Sequence, residues 1–155
     1  MVKKLKIFYN FEITNKFKKS IILIGNFDGM HSGHQKLFQL AKKYKIKYKC
    51  KIGVVTFDPI PKMFFNKHIK NYRISNFNQK IIYLKKFGVD FVINKKFDKK
   101  FSKITYYKFI ENILSRKLRS KFIFVSSNFK FGHKREGDVS LLKKYENNFG
   151  YNLIK

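Results

Sequence analysis

Four short apolar segments, separated by helical patterns, constrain this chain more than any other feature. The segments lie at residues 21–24, 51–57, 91–94 and 121–125. Each is too short for a helix and rich in β-branched or aromatic residues, which predicts a buried strand. Apolar residues at helical spacing follow them, over residues 34–44, 76–88, 105–118 and 139–148. Strands that alternate with helices predict an α/β fold, a parallel sheet with helices on both faces.

The remaining segments carry weaker signals. Residues 4–11 are rich in lysine and aromatic residues and predict an edge strand or a loop that leads into the domain. Residues 63–73 predict an irregular flap, and the basic segment up to Lys49 predicts a loop. Five helix ends carry a predicted N-cap or a terminating glycine. These are Asn76, Ser102 or Thr105, Asp138, Gly88 and Gly150.

The first predicted strand leads directly into a turn that carries two histidines. Gly25 and Gly29 bracket the turn, and His31 and His34 follow where the next helix begins. A helix N-terminus has unpaired N–H groups and a partial positive charge, so it binds anions and phosphate in particular. Two protonated imidazoles would add charge-assisted hydrogen bonds, each worth roughly 1.5–3 kcal/mol. The residues predict a phosphate site, with histidines that only cap the junction as the alternative.

Two further loops follow strands at the same edge of the predicted sheet. The second strand ends at Asp58-Pro59-Ile60-Pro61, because proline cannot donate to a sheet. The fourth strand ends in Ser126-Ser-Asn-Phe-Lys-Phe-Gly132. Open α/β sheets bind ligands at the carboxyl ends of their strands, so the three loops are expected to converge on one site. Neither the phosphate-loop pattern nor the dinucleotide fingerprint occurs, and the histidine pair lacks a third ligand for zinc.

The three loops resemble those of bacterial FAD synthetases, which belong to the nucleotidyltransferase superfamily. Gly25-Asn-Phe-Asp-Gly-Met-His-Ser-Gly-His34 resembles their Gly-x-Phe-Asp-Gly-x-His-x-Gly-His motif. Thr56-Phe-Asp-Pro-Ile-Pro61 resembles Thr-Phe-(Asp/Glu)-Pro-His-Pro, with Ile60 in place of the usual histidine. The third loop resembles Val-Gly-x-(Asn/Asp)-Phe-x-Phe-Gly, with Ser126 in place of the usual glycine. The resemblance covers nearly the whole chain and implies a Rossmann-like nucleotidyltransferase fold.

The resemblance implies an FMN adenylyltransferase, which transfers AMP from ATP to FMN and releases pyrophosphate. Mg²⁺ would accompany ATP, held by phosphate oxygens and water rather than by a protein metal site. The implied catalytic residues are His31 and His34. The implied ATP-binding residues are Gly25, Asn26, Phe27, Asp28, Gly29, His31, Gly33, His34 and Ser126. The implied flavin-binding residues are Pro59, Pro61, Asn128, Phe129 and Phe131.

The domain of this family continues into an Ile-Ser-Ser-Thr-x-Ile-Arg-type segment, whose serine, threonine and arginine contact the ATP phosphates. This sequence ends at Lys155, before such a segment. We therefore expect residues 1–155 to form an FAD synthetase-type domain that is incomplete at its C-terminus and lacks the riboflavin kinase domain. A separately encoded C-terminal part would complete it. The alternative is a non-catalytic remnant that binds flavin or nucleotide weakly.

The composition points to the cytoplasm and, less directly, to polyanions. The chain has 36 basic and nine acidic residues, a net charge of +27. Its lysines are spread among many Phe, Ile, Asn and Tyr residues, which indicates the composition of an AT-rich genome rather than a binding patch. Salt-sensitive, sequence-independent nucleic-acid binding remains the rival hypothesis. One cysteine, no apolar run of membrane-spanning length and no secretory signal predict a cytoplasmic protein without a membrane partner.

Overall fold

The sheet of this protein is parallel and six-stranded. The computed structural model describes residues 4–28, 32–66 and 76–155. The sheet has the order β1-β4-β3-β2-β5-β8, and β6 and β7 form a separate antiparallel pair. The strands are β1 (Lys6–Phe8), β2 (Ile21–Ile24), β3 (Ile52–Asp58), β4 (Phe91–Lys96), β5 (Phe122–Phe124), β6 (Lys130–Phe131), β7 (Gly137–Asp138) and β8 (Asn152–Ile154). The predicted α/β fold with a parallel sheet is confirmed, and residues 6–8 form an edge strand.

The strand order reverses at β2. The chain adds β3 and β4 on one side of β2, then adds β5 and β8 on the other side. Crossovers on opposite sides leave a crevice at the carboxyl ends of the central strands, which is where such sheets bind ligands. The three loops singled out in the sequence follow β2, β3 and β5, and these three strands are neighbours.

Both faces of the sheet are buried. Ile22 and Ile24 of β2 belong to one hydrophobic cluster, and Ile21 and Leu23 belong to the cluster on the other face. Successive side chains of a strand point to opposite faces, so a strand covered on both sides must be apolar throughout. This explains why β2 is a continuous apolar run rather than an alternating one.

The helices pack on the two faces of the sheet and vary greatly in length. α5 leads directly into a π-helical stretch, Phe109–Lys117, and short 3-10 turns occur at Asn15–Phe17 and His133–Arg135. No helix among the described residues is both long enough and apolar enough to cross a membrane. The α-helices are α1 (Ser32–Tyr48), α2 (Pro61–Phe65), α3 (Phe77–Lys86), α4 (Lys99–Ser102), α5 (Tyr106–Lys108), α6 (Val139–Lys144) and α7 (Glu146–Phe149).

Several predicted helix ends are confirmed by their hydrogen bonds. Asn76 caps α3 in a capping box with Gln79. The Thr105 hydroxyl accepts a hydrogen bond from the Lys108 N–H at 3.1 Å, so Thr105 rather than Ser102 caps α5. Asp138 caps α6, where its carboxylate accepts from the Leu141 N–H at 2.9 Å. Gly88 and Gly150 have positive φ angles at the ends of their helices.

Other boundaries were predicted wrongly. The basic segment up to Lys49 is not a loop, because α1 continues to Tyr48. Lysine is a good helix former, and Lys45 is held by an ion pair with Asp90 at 2.9 Å. The predicted helix 139–148 is interrupted at Tyr145. Residues 63–65 belong to α2, which begins with proline at its first position, and the rest of the predicted flap from residue 67 lies outside the described residues.

Candidate active site

The loops after β2, β3 and β5 meet in one cavity at the carboxyl edge of the sheet. The cavity has a volume of about 800 Å³. Among the described residues, Asn26 from the first loop, Pro61 from the second and Phe129 from the third line it. A cavity of this volume is large enough for a drug-sized ligand. The convergence expected from the strand pattern is therefore present in the fold.

Aromatic rings form one wall of this cavity. Phe97 lies in the middle of the wall, with its ring centroid 5.8 Å from that of Phe65. The Phe57 and Phe101 rings lie 5.9 Å and 5.6 Å from Phe97 on other sides. All four rings line the cavity, and Phe65 is 65% exposed. Exposed aromatic surface inside a cavity favours a flat, apolar ligand.

The third loop contributes a stacked pair of rings. Phe129 and Phe131 lie 5.4 Å apart with an angle of 16° between their planes. Phe131 is buried and contacts Phe109 of the π-helical stretch at 5.3 Å. Phe131 therefore anchors the loop in the core, and the half-buried Phe129 lies on the cavity side.

The rim of the cavity is positively charged. Lys62, Lys130, Lys134 and Arg135 line it, and no acidic residue does so among the described residues. Gly132 allows the loop that carries Lys134 and Arg135 to approach α5 closely. A methyl group added at Gly132, which has φ +79°, would lie 2.8 Å from the Tyr106 nitrogen. An apolar wall beside a basic rim suits a planar ligand that carries phosphate.

His34 lies at the start of α1 and packs against a buried aromatic ring. It is the third residue of this helix, and its Nδ1 atom is shielded from solvent. The Phe27 ring lies 5.2 Å from the His34 ring and 5.1 Å from Phe38. Gly25 leaves room for this ring, because a methyl group there would lie 3.2 Å from it. The Phe27 side chain, expected to be at the ATP site, therefore belongs to the core beneath His34.

Only some of the predicted site residues line the cavity. The Ser126 hydroxyl donates to Oδ1 of Asn128 at 2.9 Å, and both residues are exposed. Ile60 is buried in the protein interior, and the peptide bond between Asp58 and Pro59 is cis. Gly29 and His31 lie outside the described residues. The predicted residues that line the cavity are Asn26, Pro61, Phe129 and Phe131; those described that do not are Gly25, Phe27, Asp28, Gly33, His34, Pro59, Ser126 and Asn128.

Sequence reasoning missed most of the aromatic wall and the basic rim. The chain has 19 phenylalanines, so Phe57, Phe97 and Phe101 did not stand out by composition. One usable signal was position, because Phe97 directly follows the carboxyl end of β4. Arg135 lies three residues after the third loop motif and had no assigned role.

Asp98 stabilises the segment that carries Phe101. Its carboxylate accepts a hydrogen bond from the Phe101 N–H at 2.8 Å and caps α4. This hydrogen bond, helped by the nearby ammonium groups of Lys95 and Lys96, lowers the pKa of Asp98 below its usual value. The first turn of α4, and with it one ring of the aromatic wall, is thereby fixed at neutral pH.

Comparison with known proteins places this chain in a family. The FAD synthetase family profile matches residues 13–155. A bifunctional riboflavin kinase/FMN adenylyltransferase from Buchnera aphidicola subsp. Acyrthosiphon pisum is 41% identical over 136 residues, which is 88% of this chain and 44% of the relative. The protein of the same name from Escherichia coli K12 is 36% identical over 133 residues, 86% of this chain and 42% of that protein.

A solved structure agrees in fold. A protein described as a macrolide-efflux protein from Streptococcus pneumoniae superposes with a TM-score of 0.80 at 26% identity. The match covers 98% of this chain and 50% of that one. The chain thus spans half, or somewhat less than half, of the length of the proteins that it matches.

Proposed function

Because the chain belongs to the FAD synthetase family, we propose that it is an FMN adenylyltransferase, which makes FAD and pyrophosphate from FMN and ATP. One observation carries the proposal. At the point where the strand order reverses, a cavity with an aromatic wall and a basic rim is lined by Asn26, in the loop that joins β2 to the histidine-bearing start of α1. A flavin mononucleotide is planar and apolar at one end and carries a phosphate at the other.

The proposed reaction is a substitution at phosphorus. An oxygen of the FMN phosphate attacks the α-phosphorus of ATP in line with the leaving group. A new P–O bond forms to FMN, the bond between the α-phosphorus and the oxygen that bridges to the β-phosphate breaks, and pyrophosphate leaves. No protein nucleophile takes part, so the protein contributes position and charge stabilisation.

The start of α1 is the proposed ATP phosphate site. Its N–H groups and the imidazoles of His31 and His34 donate hydrogen bonds to phosphate oxygens as negative charge shifts to the leaving group. Gly25, Gly29 and Gly33 would let the backbone come close to the triphosphate, and Asn26 would shape the turn. Ser126 follows β5, the strand next to β2, and would contact ATP from there. Mg²⁺ enters as part of MgATP, held mainly by phosphate oxygens and water, and Asp28 orients that complex.

The aromatic cavity is the proposed flavin site. The isoalloxazine ring would lie against the aromatic wall and Phe129, which Phe131 supports. Pro59 and Pro61 would shape the loop that follows β3. The carboxamide of Asn128 donates and accepts hydrogen bonds, which matches the uracil-like edge of the ring. Lys62 and Arg135 on the rim attract the FMN phosphate.

The direct test is FAD formation by the purified chain with FMN, ATP and Mg²⁺, followed by chromatography. We expect His34→Ala to lower turnover roughly 10²–10³-fold, the cost of losing one donor to the transition state. Gln39→Ala is the matched control, because Gln39 is exposed on the same helix. It should retain the wild-type rate.

The outcomes separate the proposal from its alternative. Equal rates in the two variants would contradict the role of His34. A folded wild-type chain that quenches FMN fluorescence but makes no FAD would favour a non-catalytic, flavin-binding remnant. Addition of the C-terminal half of a curated relative would then show whether a second chain can supply further contacts to the phosphates.

A further inference from the structure

A second groove lies at the amino-terminal edge of the sheet, opposite the candidate active site. Its volume is about 1110 Å³. Residues that directly precede strands line it, namely Ser20 before β2, Lys51 before β3 and Lys121 before β5. β3 runs from this edge to the active-site edge, and its length at about 3.3 Å per residue separates the two edges by roughly 20 Å. The groove is therefore distinct from the proposed flavin and ATP sites.

Positive charge is concentrated in this groove. Nine of the 17 described residues that line it are Lys or Arg, compared with four of the 17 that line the active-site cavity. Asp90 is the only acidic residue among the described lining residues, and it is already neutralised. Its carboxylate accepts hydrogen bonds from the Lys45 ammonium and the Ile52 N–H, both at 2.9 Å. The sequence suggested that the lysines are evenly spread, but the fold gathers a group of them in this groove.

Three basic residues of the groove adopt a backbone conformation that normally favours glycine. Lys19, Lys49 and Arg119 have φ angles of 61°, 52° and 48°, and they precede β2, β3 and β5. Gly88 and Gly150 occupy the equivalent position before β4 and β8, with φ angles of 79° and 74°. A side chain in this conformation costs free energy that glycine avoids. Three exposed cations therefore stand where an uncharged glycine would suit the fold better.

The groove also holds an exposed aromatic ring. Tyr48 lines it and is 38% exposed. The ammonium groups of Lys47 and Lys121 lie 5.3 Å and 5.6 Å from the centre of its ring. A ring flanked by cations can stack with a base while the cations bind the adjacent phosphates.

We propose that this groove binds the phosphate backbone of single-stranded nucleic acid without sequence preference. Proteins with this activity combine a concave basic groove with exposed rings. An acidic protein partner would require apolar anchors at the centre of the contact. Tyr48, Cys50 and Phe149 are the only residues with largely apolar side chains among the described ones that line the groove. A flat bilayer would reach the rim of a concave surface but not its floor.

The test compares two triple variants that lose the same three charges. Lys19→Asn/Lys49→Asn/Arg119→Asn changes the groove, and asparagine tolerates positive φ angles, so this variant should fold at least as stably as the wild type. Lys85→Gln/Lys108→Gln/Lys144→Gln changes exposed lysines on three helices away from the groove. Binding of fluorescein-labelled oligo-U and oligo-dT of about 15 nucleotides is measured by anisotropy between about 50 and 200 mM salt.

We expect the groove variant to bind roughly 10²-fold more weakly at about 50 mM salt, and the slope of log K against log salt to fall by about 2 units. The control variant should lose less than about threefold. Equal losses in the two variants would overturn the proposal, because the binding would then reflect overall charge. Thermal unfolding of both variants shows that each is folded.

Competitors distinguish the partner classes. Poly-glutamate that displaces the oligonucleotide equally well at equal charge would overturn the proposal in favour of an acidic protein. Anionic vesicles whose binding depends on the same three residues would overturn it in favour of a membrane. Tighter binding of oligo-U than of oligo-dT would identify RNA through its 2′-hydroxyl, and equal affinities would assign recognition to the phosphates, so both results support the proposal.

Discussion

Substitution of Phe27 by leucine tests whether core packing positions the histidine of the candidate active site. The Phe27 ring contacts His34 at 5.2 Å and Phe38 at 5.1 Å and is almost completely buried. Leucine keeps the site apolar but lacks the ring against which His34 rests. Phe27 has a φ angle of 49°, and leucine would occupy that conformation at a similar cost, so the backbone does not distinguish the two residues.

Phe38→Leu is the matched control. Phe38 is also fully buried. Like Phe27, it contacts two rings among the described residues, Phe27 at 5.1 Å and Phe87 at 5.4 Å. The smaller side chain costs about 1 kcal/mol, and each lost ring pair costs about 0.5–1.5 kcal/mol. Both variants should therefore lose roughly 2–4 kcal/mol of the free energy of unfolding, measured by urea denaturation.

Only the Phe27 variant should also lose activity out of proportion to stability. A displacement of a catalytic group by about 1 Å lowers turnover by up to about 10²-fold, so we expect Phe27→Leu to lower kcat for FAD formation at least tenfold. Phe38→Leu should keep kcat within about threefold. Equal losses of activity, or an unchanged kcat in Phe27→Leu, would refute the idea that Phe27 positions His34.

Two further predictions concern stability. Gly132→Ala should lose roughly 2–5 kcal/mol, because the added methyl group would lie 2.8 Å from the Tyr106 nitrogen at a φ angle of +79°. At Gly150, with φ +74°, no atom lies within 4 Å of an added methyl group, so Gly150→Ala should lose only the free energy that backbone strain costs. Equal melting temperatures for Gly132→Ala and Gly150→Ala would contradict this argument. Glu146 accepts hydrogen bonds from the Leu153 N–H and the Lys143 ammonium, which lower its pKa below the ordinary value of a glutamate. The stabilisation of the fold by ionised Glu146 is complete above the ordinary pKa and is lost as the pH falls through the lowered pKa. Glu146→Gln should therefore flatten the acid limb of a plot of melting temperature against pH. An unchanged acid limb would exclude a stabilising role for the Glu146 carboxylate.

The elements that were predictable are those whose signal is local. Residues 21–24 were predicted to form a buried strand because all four are apolar, so the side chains on both faces of the strand must be covered. The caps at Asn76 and Asp138 were predictable because a cap bonds to an N–H only three residues away. The end of α1 was not predictable, because Lys45 is fixed in the helix by Asp90, 45 residues further along the chain.

The sequence by itself determined the alternation of strands and helices, the family, and the three loops expected to meet at the carboxyl edge. Each of these depends on residues that are close in the chain or on the general rule for parallel sheets. Only the tertiary structure decided which of 19 phenylalanines line the cavity and which of 36 basic residues form the second groove. Residues of the same type are equivalent by composition, and the strand order set by long-range packing brings some of them to one edge of the sheet and some to the other.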